Sequence, residues 1–264
     1  PIIDSKIIFS WNALTIRGLV DSYKSTKDPI FLNKALLINS SLSKIMIDNN
    51  IIRHTSSGPT EVLFFEDYSY YIDALIGLYE ITFDEKYLQF ADELVVFSNE
   101  KFKEESGFYR FSTNQESLFA DTLINLQDGV IPSANSVMNF NLFRLGHFNG
   151  NKDYLSHSKI MINNVSETIK ERVTDHLLWL NNSHNYSQKF YEIAISGNNA
   201  IAKAEDIMEE YLPNVLIAAS ENVSNLYLLK DRYFKDETYI YVCVDNTCKF
   251  PVTTVSKALD LMKD

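Results

Sequence analysis

Apolar residues recur at spacings of three and four along much of the chain, which is the period of an α-helix packed on one side. The clearest case is segment 64–94, where this period runs through Leu75 and Tyr79, stops at Asp84, and resumes at Leu88. A periodic pattern interrupted by a short acidic turn predicts two helices joined as a hairpin.

The hairpin pattern occurs three times. Each copy has a polar turn that is followed, three and four residues later, by an aromatic residue and a leucine, and that is preceded by a leucine nine residues earlier. The turns begin at Asp28, Asp84 and Asn151, the pairs are Phe31-Leu32, Tyr87-Leu88 and Tyr154-Leu155, and the preceding leucines are Leu19, Leu75 and Leu142. Repeated helical hairpins of this size predict a solenoid or a closed α/α toroid.

Two segments between the hairpins lack the helical period. Residues 49–63 form a predicted loop that contains Gly58-Pro59, and residues 103–131 form a long connection. Within the second segment, residues 107–113 alternate like a strand and Asn114–Glu116 has the composition of a turn. Connections of this length often carry functional sites.

The pattern changes near the carboxyl end. A strand at 189–196, a helix at 199–211 and a strand at 214–220 predict a βαβ unit. A hairpin from 239–244 to a short strand around Cys248 follows, and a helix at 253–262 closes the chain. We therefore predict a mainly α fold, a partial (α/α)6 toroid of helical hairpins at 1–186 with a small C-terminal α/β appendage at 187–264.

Composition narrows the classes of partner. The chain has 264 residues, a net charge of −11 and a pI near 4.9, so it offers no basic stripe for nucleic acid and repels anionic membrane surfaces. No apolar run approaches the ~20 residues of a membrane span. The start, at Pro1, has neither an initiator Met nor a signal-peptide pattern. From these features we expect a piece of a longer, cytoplasmic protein that binds neither nucleic acid nor membrane.

Polar clusters stand where the first helix of each hairpin begins, and equivalent starts should gather on one face. Two adjacent carboxylates are candidates for acid/base catalysis, aromatic rings for stacking on a sugar, and amides and hydroxyls for hydrogen bonds to it. The candidate catalytic residues are Glu66 and Asp67, and the candidate ligand-binding residues are Trp11, Asn12, Tyr68, Ser133, Asn135 and, on the preceding loop, Arg53 and His54. The alternative is that these residues only cap helices, Ser10 and Ser133 above all, or pack the repeats together. We expect no metal and no cofactor, because the five histidines lack metal-site spacing.

Cys243 and Cys248 are the only cysteines. They flank a turn, so they can face each other across a hairpin and form a disulfide. The alternative is a pair of small, buried apolar residues.

Four motifs, taken together, are similar to a known family. They are Asp4-x-Lys6-x-x-x-Ser10-Trp11-Asn12, Phe65-Glu66-Asp67-Tyr68, Asp128-Gly129-x-x-Pro132-Ser133-x-Asn135-Ser136-Val137, and Val242-Cys243-x-x-x-x-Cys248-x-x-Pro251. Their order resembles the thioredoxin-domain family that includes bacterial YyaL and mammalian spermatogenesis-associated protein 20. Ala13 and Ala134 stand where that family usually has glycine. The resemblance covers the C-terminal two-fifths of a family member and adds Asp128 to the candidate ligand-binding residues.

The resemblance implies an N-terminal thioredoxin-like domain followed by a six-hairpin toroid, similar in fold to N-acylglucosamine 2-epimerases and six-hairpin glycosidases. We expect a toroid that binds or acts on a carbohydrate or another small polar ligand; the alternative is a non-catalytic module that binds a ligand or protein for the thioredoxin-like domain. Epimerase chemistry through inner-helix histidines is not expected, because Asn12, Tyr68 and Asn135 occupy those starts. Since three hairpins cannot close a ring of six, we also expect contact with the missing N-terminal part or self-association.

Overall fold

The computed structural model describes residues 5–57, 61–113, 123–245 and 247–263. Asp4, the Gly58-Pro59 loop, the predicted turn at 114–116 and Asn246 lie outside these residues. The helices are α1 (Phe9–Thr26), α2 (Pro29–Met46), α3 (Phe65–Thr82), α4 (Lys86–Lys101), α5 (Ala134–Asn149), α6 (Lys152–Glu171), α7 (Leu177–Ser187), α8 (Ala200–Ile207) and α9 (Val255–Lys263). The strands are β1 (Ile47–Asp48), β2 (Ile51–Ile52), β3 (Tyr191–Ser196), β4 (Val215–Ser220), β5 (Tyr239–Val244) and β6 (Thr247–Cys248).

The three predicted hairpins are α1–α2, α3–α4 and α5–α6, and their turns share one local geometry. In each turn a residue with positive φ is followed by an Asp or Asn whose side chain accepts the backbone N–H two residues further on. The positive-φ residues are Lys27, Phe83 and Gly150, and the acceptors are Asp28, Asp84 and Asn151. The sequence repeat therefore reflects a repeated turn that ends one helix and starts the next.

The chain divides into two compact units, residues 1–142 with 156–180 and residues 143–155 with 181–264. In the first unit, α1 packs against α2 and α3, and α3 packs against α4. Helix α3 is buried over 14 of its 18 residues, whereas α2 buries three of its 18. A helix that is apolar all round lies inside a fold and a strongly two-sided helix lies outside, so α3 is an inner helix and α2 an outer one. The predicted division at residue 186 stays a prediction.

The second unit contains a four-stranded sheet with the order β4-β3-β5-β6. β3 and β4 are parallel and are connected through α8, as predicted for a βαβ unit, while β5 runs antiparallel to β3 and to β6. Every residue of β3 is buried, which fits its central position.

Three local predictions are corrected. Residues 107–113 form isolated bridges from Tyr109 to Lys103 and from Ser112 to Phe64 instead of a strand, because no segment in the described part of the chain pairs with them continuously. Ser10 is not the N-cap of α1, since the helix already begins at Phe9. Helix α8 ends at Ile207, four residues before the predicted end.

Candidate active site at the start of helix α3

Asp67 joins the starts of α1 and α3. Glu66 and Asp67 lie in the first turn of α3, where negative charge is favoured by the helix dipole. The carboxylate of Asp67 accepts the backbone N–H of Ser10 at 3.0 Å, and that of Glu66 accepts the Ser10 hydroxyl at 3.1 Å. Because Ser10 is the second residue of α1, its N–H has no partner within the helix. Asp67 therefore caps α1 through a residue that lies 57 positions earlier in the chain.

The third member of the site is His54. The loop that carries it is pinned to the start of α1, because Phe9 N donates to the His54 carbonyl at 2.9 Å and Ile8 bridges Thr55. His54 Nδ1 lies 3.0 Å from Asp67 Oδ2 and 3.2 Å from Oδ1. Its ring also packs on Phe64 at a centroid distance of 4.6 Å. Asp67 thus fixes the orientation of the imidazole and leaves Nε2 without a hydrogen-bond partner among the described residues.

Burial and the Asp67–His54 hydrogen bond shift the pKa values of these three groups. The Asp67 side chain is 0% exposed, and burial raises its pKa although His54 and Ser10 oppose the shift. Burial and the charge of Asp67 raise the pKa of Glu66. The hydrogen bond to Asp67 raises the pKa of His54, while burial opposes this change. The pKa values of Glu66 and His54 therefore both lie above those of the free side chains.

The same cluster has the ligand types of a divalent-cation site. One ligating atom from each of His54, Glu66 and Asp67 lies within 4.8 Å of the others. A cation bound there would compete with the Asp67–His54 hydrogen bond for the same atoms. The sequence-based expectation that no metal binds stays a prediction.

The start of α5 lies beside this cluster. Tyr70 of α3 donates to the carbonyl of Pro132 at 2.7 Å, and Ser69 donates to that of Ala134 at 2.6 Å. A cavity of about 30 Å³ lies between the two helix starts, with room for about two waters. Its lining residues are Phe65, Glu66, Tyr70, Tyr109, Phe111, Asn125, Ala134 and Asn135. The structure therefore brings Ser10, Glu66 and Asn135, from the starts of α1, α3 and α5, into one region of the first unit.

The other predicted ligand-binding residues differ in their exposure and in their hydrogen-bond partners. Trp11 is 64% exposed, and Arg53 is also exposed. Asn12 is half-buried, and its amide donates to the carbonyl of Ile8 within its own helix. Tyr68 is fully buried; its hydroxyl donates to Asn50 O and accepts from the N–H of Ile52. Tyr68 is therefore a core residue that holds the β1–β2 turn and cannot stack on a sugar.

The α5 corner is occupied by internal hydrogen bonds. Ser133 Oγ accepts the N–H of Ser136, so Ser133 is an N-cap. Asp128 accepts from Ser133 N at 2.9 Å, from Ser136 Oγ and from Leu178 N. Asn135 exchanges two hydrogen bonds with the backbone of Tyr109 and donates a third to Asn125 O. These three side chains make hydrogen bonds within the first unit, and their predicted role as ligand contacts stays a prediction.

The cavity residues Tyr70, Tyr109, Phe111 and Asn125 were not predicted as part of the site. Tyr109 stacks on Phe65 with ring centroids 4.5 Å apart. The alternation at 107–113 is the sequence signal that pointed to this segment, but it does not indicate which helix the segment contacts.

Two curated relatives share sequence with nearly the whole chain. Human spermatogenesis-associated protein 20 is 26% identical over 279 residues, which cover 96% of this chain and 35% of that protein. The mouse protein is 25% identical over 281 residues, which cover 95% of this chain and 35% of that protein. The predicted relationship to spermatogenesis-associated protein 20 is confirmed. The chain spans about a third of the length of these relatives, and no family model matches it.

Solved structures resemble the chain in fold. The GH76 α-mannanase of Bacteroides thetaiotaomicron superimposes with a TM-score of 0.54 at 17% identity, over 63% of this chain and 46% of that one. The GH76A α-1,6-mannanase of Salegentibacter superimposes with a TM-score of 0.52 at 16% identity, over 60% of this chain and 47% of that one. The predicted fold class, helical hairpins of the α/α toroid type with a small α/β appendage, is confirmed. Among the described residues, no helix is long and apolar enough to cross a membrane.

Proposed function

We propose that this chain acts on a carbohydrate at the start of α3, with Glu66 and His54 as the groups that reach the ligand. The observation that carries the proposal is the hydrogen-bonded His54–Asp67 pair beside Glu66. Asp67 is completely buried and occupied by Ser10 and His54, so its role is to position the imidazole. The sequence predicted Glu66 and Asp67 as the acid/base residues; here we assign proton transfer to Glu66 and His54.

The exposed ring of Trp11 supports a sugar as the ligand. Trp11 follows Ser10, which contacts both carboxylates, and its side chain is 64% exposed. An exposed tryptophan next in sequence to a residue that contacts both carboxylates offers an apolar ring face for stacking on a sugar.

The structural neighbours also support this class of substrate. The inactive Salegentibacter α-1,6-mannanase variant solved with α-1,6-mannotetrose has two consecutive aspartates replaced. This chain also has two consecutive carboxylates, Glu66 and Asp67, which stand in the first turn of α3.

Turnover of defined sugars tests the proposal. The chain is incubated with α-1,6-mannotriose, other oligosaccharides and free aldoses, and products are followed by proton NMR. Glu66→Gln and His54→Gln should each lower turnover by about 10²-fold or more, the usual contribution of an acid or base. Glu93→Gln, an exposed isosteric change on α4, is the control. Turnover that Glu66→Gln leaves unchanged would reject the assigned role.

A second candidate is a non-catalytic binding module. It is favoured by the internal use of Asp128, Ser133 and Asn135 and by the small cavity beside Glu66. On this proposal the chain retains a sugar or protein ligand without converting it, and a thioredoxin-like domain elsewhere in a longer cytoplasmic protein performs the chemistry. Saturable binding with no product for any sugar tested distinguishes it from the first proposal.

A further inference from the structure

A disulfide closes the β5–β6 hairpin at one edge of the sheet. Cys243 and Cys248 are register partners and are covalently bonded. Cys243 is buried, whereas Cys248 is exposed on a two-residue edge strand. The bond thus has one sulfur that an external thiol can reach and one that it cannot. Since Cys248 is exposed, the alternative of two buried apolar cysteines is wrong.

A guanidinium group lies against both sulfurs. Arg232 Nη1 is 3.7 Å from Cys243 Sγ, and Nη2 is 3.4 Å from Cys248 Sγ. The same group lies over the ring of Tyr241 at 4.7 Å. Arg232 is half-buried, and within the described residues no carboxylate lies within ion-pair distance of it.

This arrangement favours the reduced state of the pair. A neutral disulfide sulfur is a weak hydrogen-bond acceptor, whereas a thiolate is a full negative charge. A guanidinium whose side-chain hydrogen-bond acceptors are two disulfide sulfurs therefore gains a charged acceptor when the bond opens. Nearby cationic groups lower thiol pKa values in reactive cysteines by the same effect.

A buried carboxyl group lies next to the inner sulfur. Glu192 of β3 is the register partner of Cys243, so the two side chains stand on the same face of the sheet. Its Oε1 is 2.6 Å from His147 Nδ1, and its Oε2 has no hydrogen-bond partner among the described residues. The Glu192–His147 pair thus lies beside Cys243 in the second unit.

We propose that Cys243 and Cys248 form a reversible redox couple that exchanges with dithiols. A thiolate of the dithiol attacks Cys248 Sγ, the Sγ–Sγ bond breaks, and Cys243 leaves as a thiolate beside Arg232. The second thiolate of the dithiol then attacks the dithiol sulfur that is bonded to Cys248, and Cys248 is released as a thiolate. The dithiol becomes a disulfide, two electrons pass to the protein, and the two protons are taken up by the cysteines. The proposal does not depend on the site at Glu66.

Equilibrium with a thiol buffer tests this proposal. The chain is equilibrated in mixtures of reduced and oxidised dithiothreitol or glutathione, quenched, alkylated, and the reduced fraction measured by mass spectrometry. The wild type should titrate reversibly within the glutathione range, and Arg232→Gln should lower the equilibrium constant for reduction about tenfold, which corresponds to about 30 mV. Arg232→Lys should recover part of this loss.

Two further variants complete the test. Lys230→Gln removes an exposed cation two residues away and should leave the midpoint unchanged. Cys243→Ser should form a stable mixed disulfide with glutathione at Cys248. A wild-type potential below about −300 mV, typical of structural disulfides, would overturn the proposal. An Arg232→Gln midpoint equal to that of the wild type would also overturn it.

Discussion

Replacing Asp67 with alanine removes a buried carboxylate that holds the start of α1 and the ring of His54. The Ser10 N–H, which is 0% exposed, then has no acceptor, and His54 Nδ1 loses its partner. A buried donor left without an acceptor costs about 1–3 kcal/mol, and loss of a helix cap costs about 1 kcal/mol. We therefore expect Asp67→Ala to lower the free energy of unfolding by about 2–4 kcal/mol.

Asp67→Asn separates the hydrogen bonds from the charge. Asparagine keeps the side-chain volume and an oxygen for Ser10 N–H. Burial raises the pKa of Asp67, which means that the folded chain disfavours its charge. Losing that charge should cost little, so Asp67→Asn should stay within about 1 kcal/mol of the wild type.

Urea unfolding, followed by circular dichroism and by the fluorescence of the buried Trp179, measures both changes. Glu66→Ala is the matched control, because it removes a neighbouring carboxylate that accepts from the Ser10 hydroxyl, and we expect a loss of about 0.5–1.5 kcal/mol. If Asp67→Ala costs no more than Glu66→Ala, the capping role is refuted. If Asp67→Asn costs as much as Asp67→Ala, charge and not hydrogen bonding carries the effect.

Three further predictions concern pH, the α5 corner and association. The folded pKa of His54 lies above 6.5, so its contribution to the free energy of unfolding is fully present below that pH and is lost as pH rises through the folded value. Unfolding curves at several pH values should show this loss in the wild type. A His54→Gln chain whose free energy of unfolding changes with pH at the same slope would contradict the prediction. Asn135→Ala should lower the free energy of unfolding by about 2–4 kcal/mol because it leaves Tyr109 N–H without its acceptor; calorimetry showing a melting temperature within a degree of wild type would count against this. Helix α2 exposes Ile30, Leu37 and Ile45 at 47%, 67% and 57%, so the chain should self-associate in sedimentation equilibrium and Leu37→Glu should weaken association; a wild-type monomer at all concentrations would disprove this.

The hairpins were predictable because their signals are local. The amphipathic period and the Asp or Asn after each helix determine where helices end and begin, and Asp28, Asp84 and Asn151 make the same backbone contact in the structure. The βαβ unit was predictable for the same reason, since apolar runs of strand length alternate with a helical period.

The contacts that join the site residues were not predictable from the sequence. Asp67 meets Ser10 across 57 residues, and no local pattern encodes that contact. Tyr68 and Trp11 stand at similar helix starts, yet one is buried and the other is 64% exposed. The difference arises because the Tyr68 hydroxyl reaches the backbone of the β1–β2 turn, a partner that tertiary packing supplies.

Tryptophan fluorescence tests the central claim, a sugar site beside Glu66 and His54, most directly. The chain has two tryptophans; Trp179 is buried, so a change on adding ligand reports on Trp11. Titration with the sugar panel should give, for at least one sugar, a saturable change that is absent in Trp11→Phe, weakened in Glu66→Gln, and unchanged in Glu93→Gln. A change that persists in Trp11→Phe, or no saturable change with any sugar in the panel, would contradict the account.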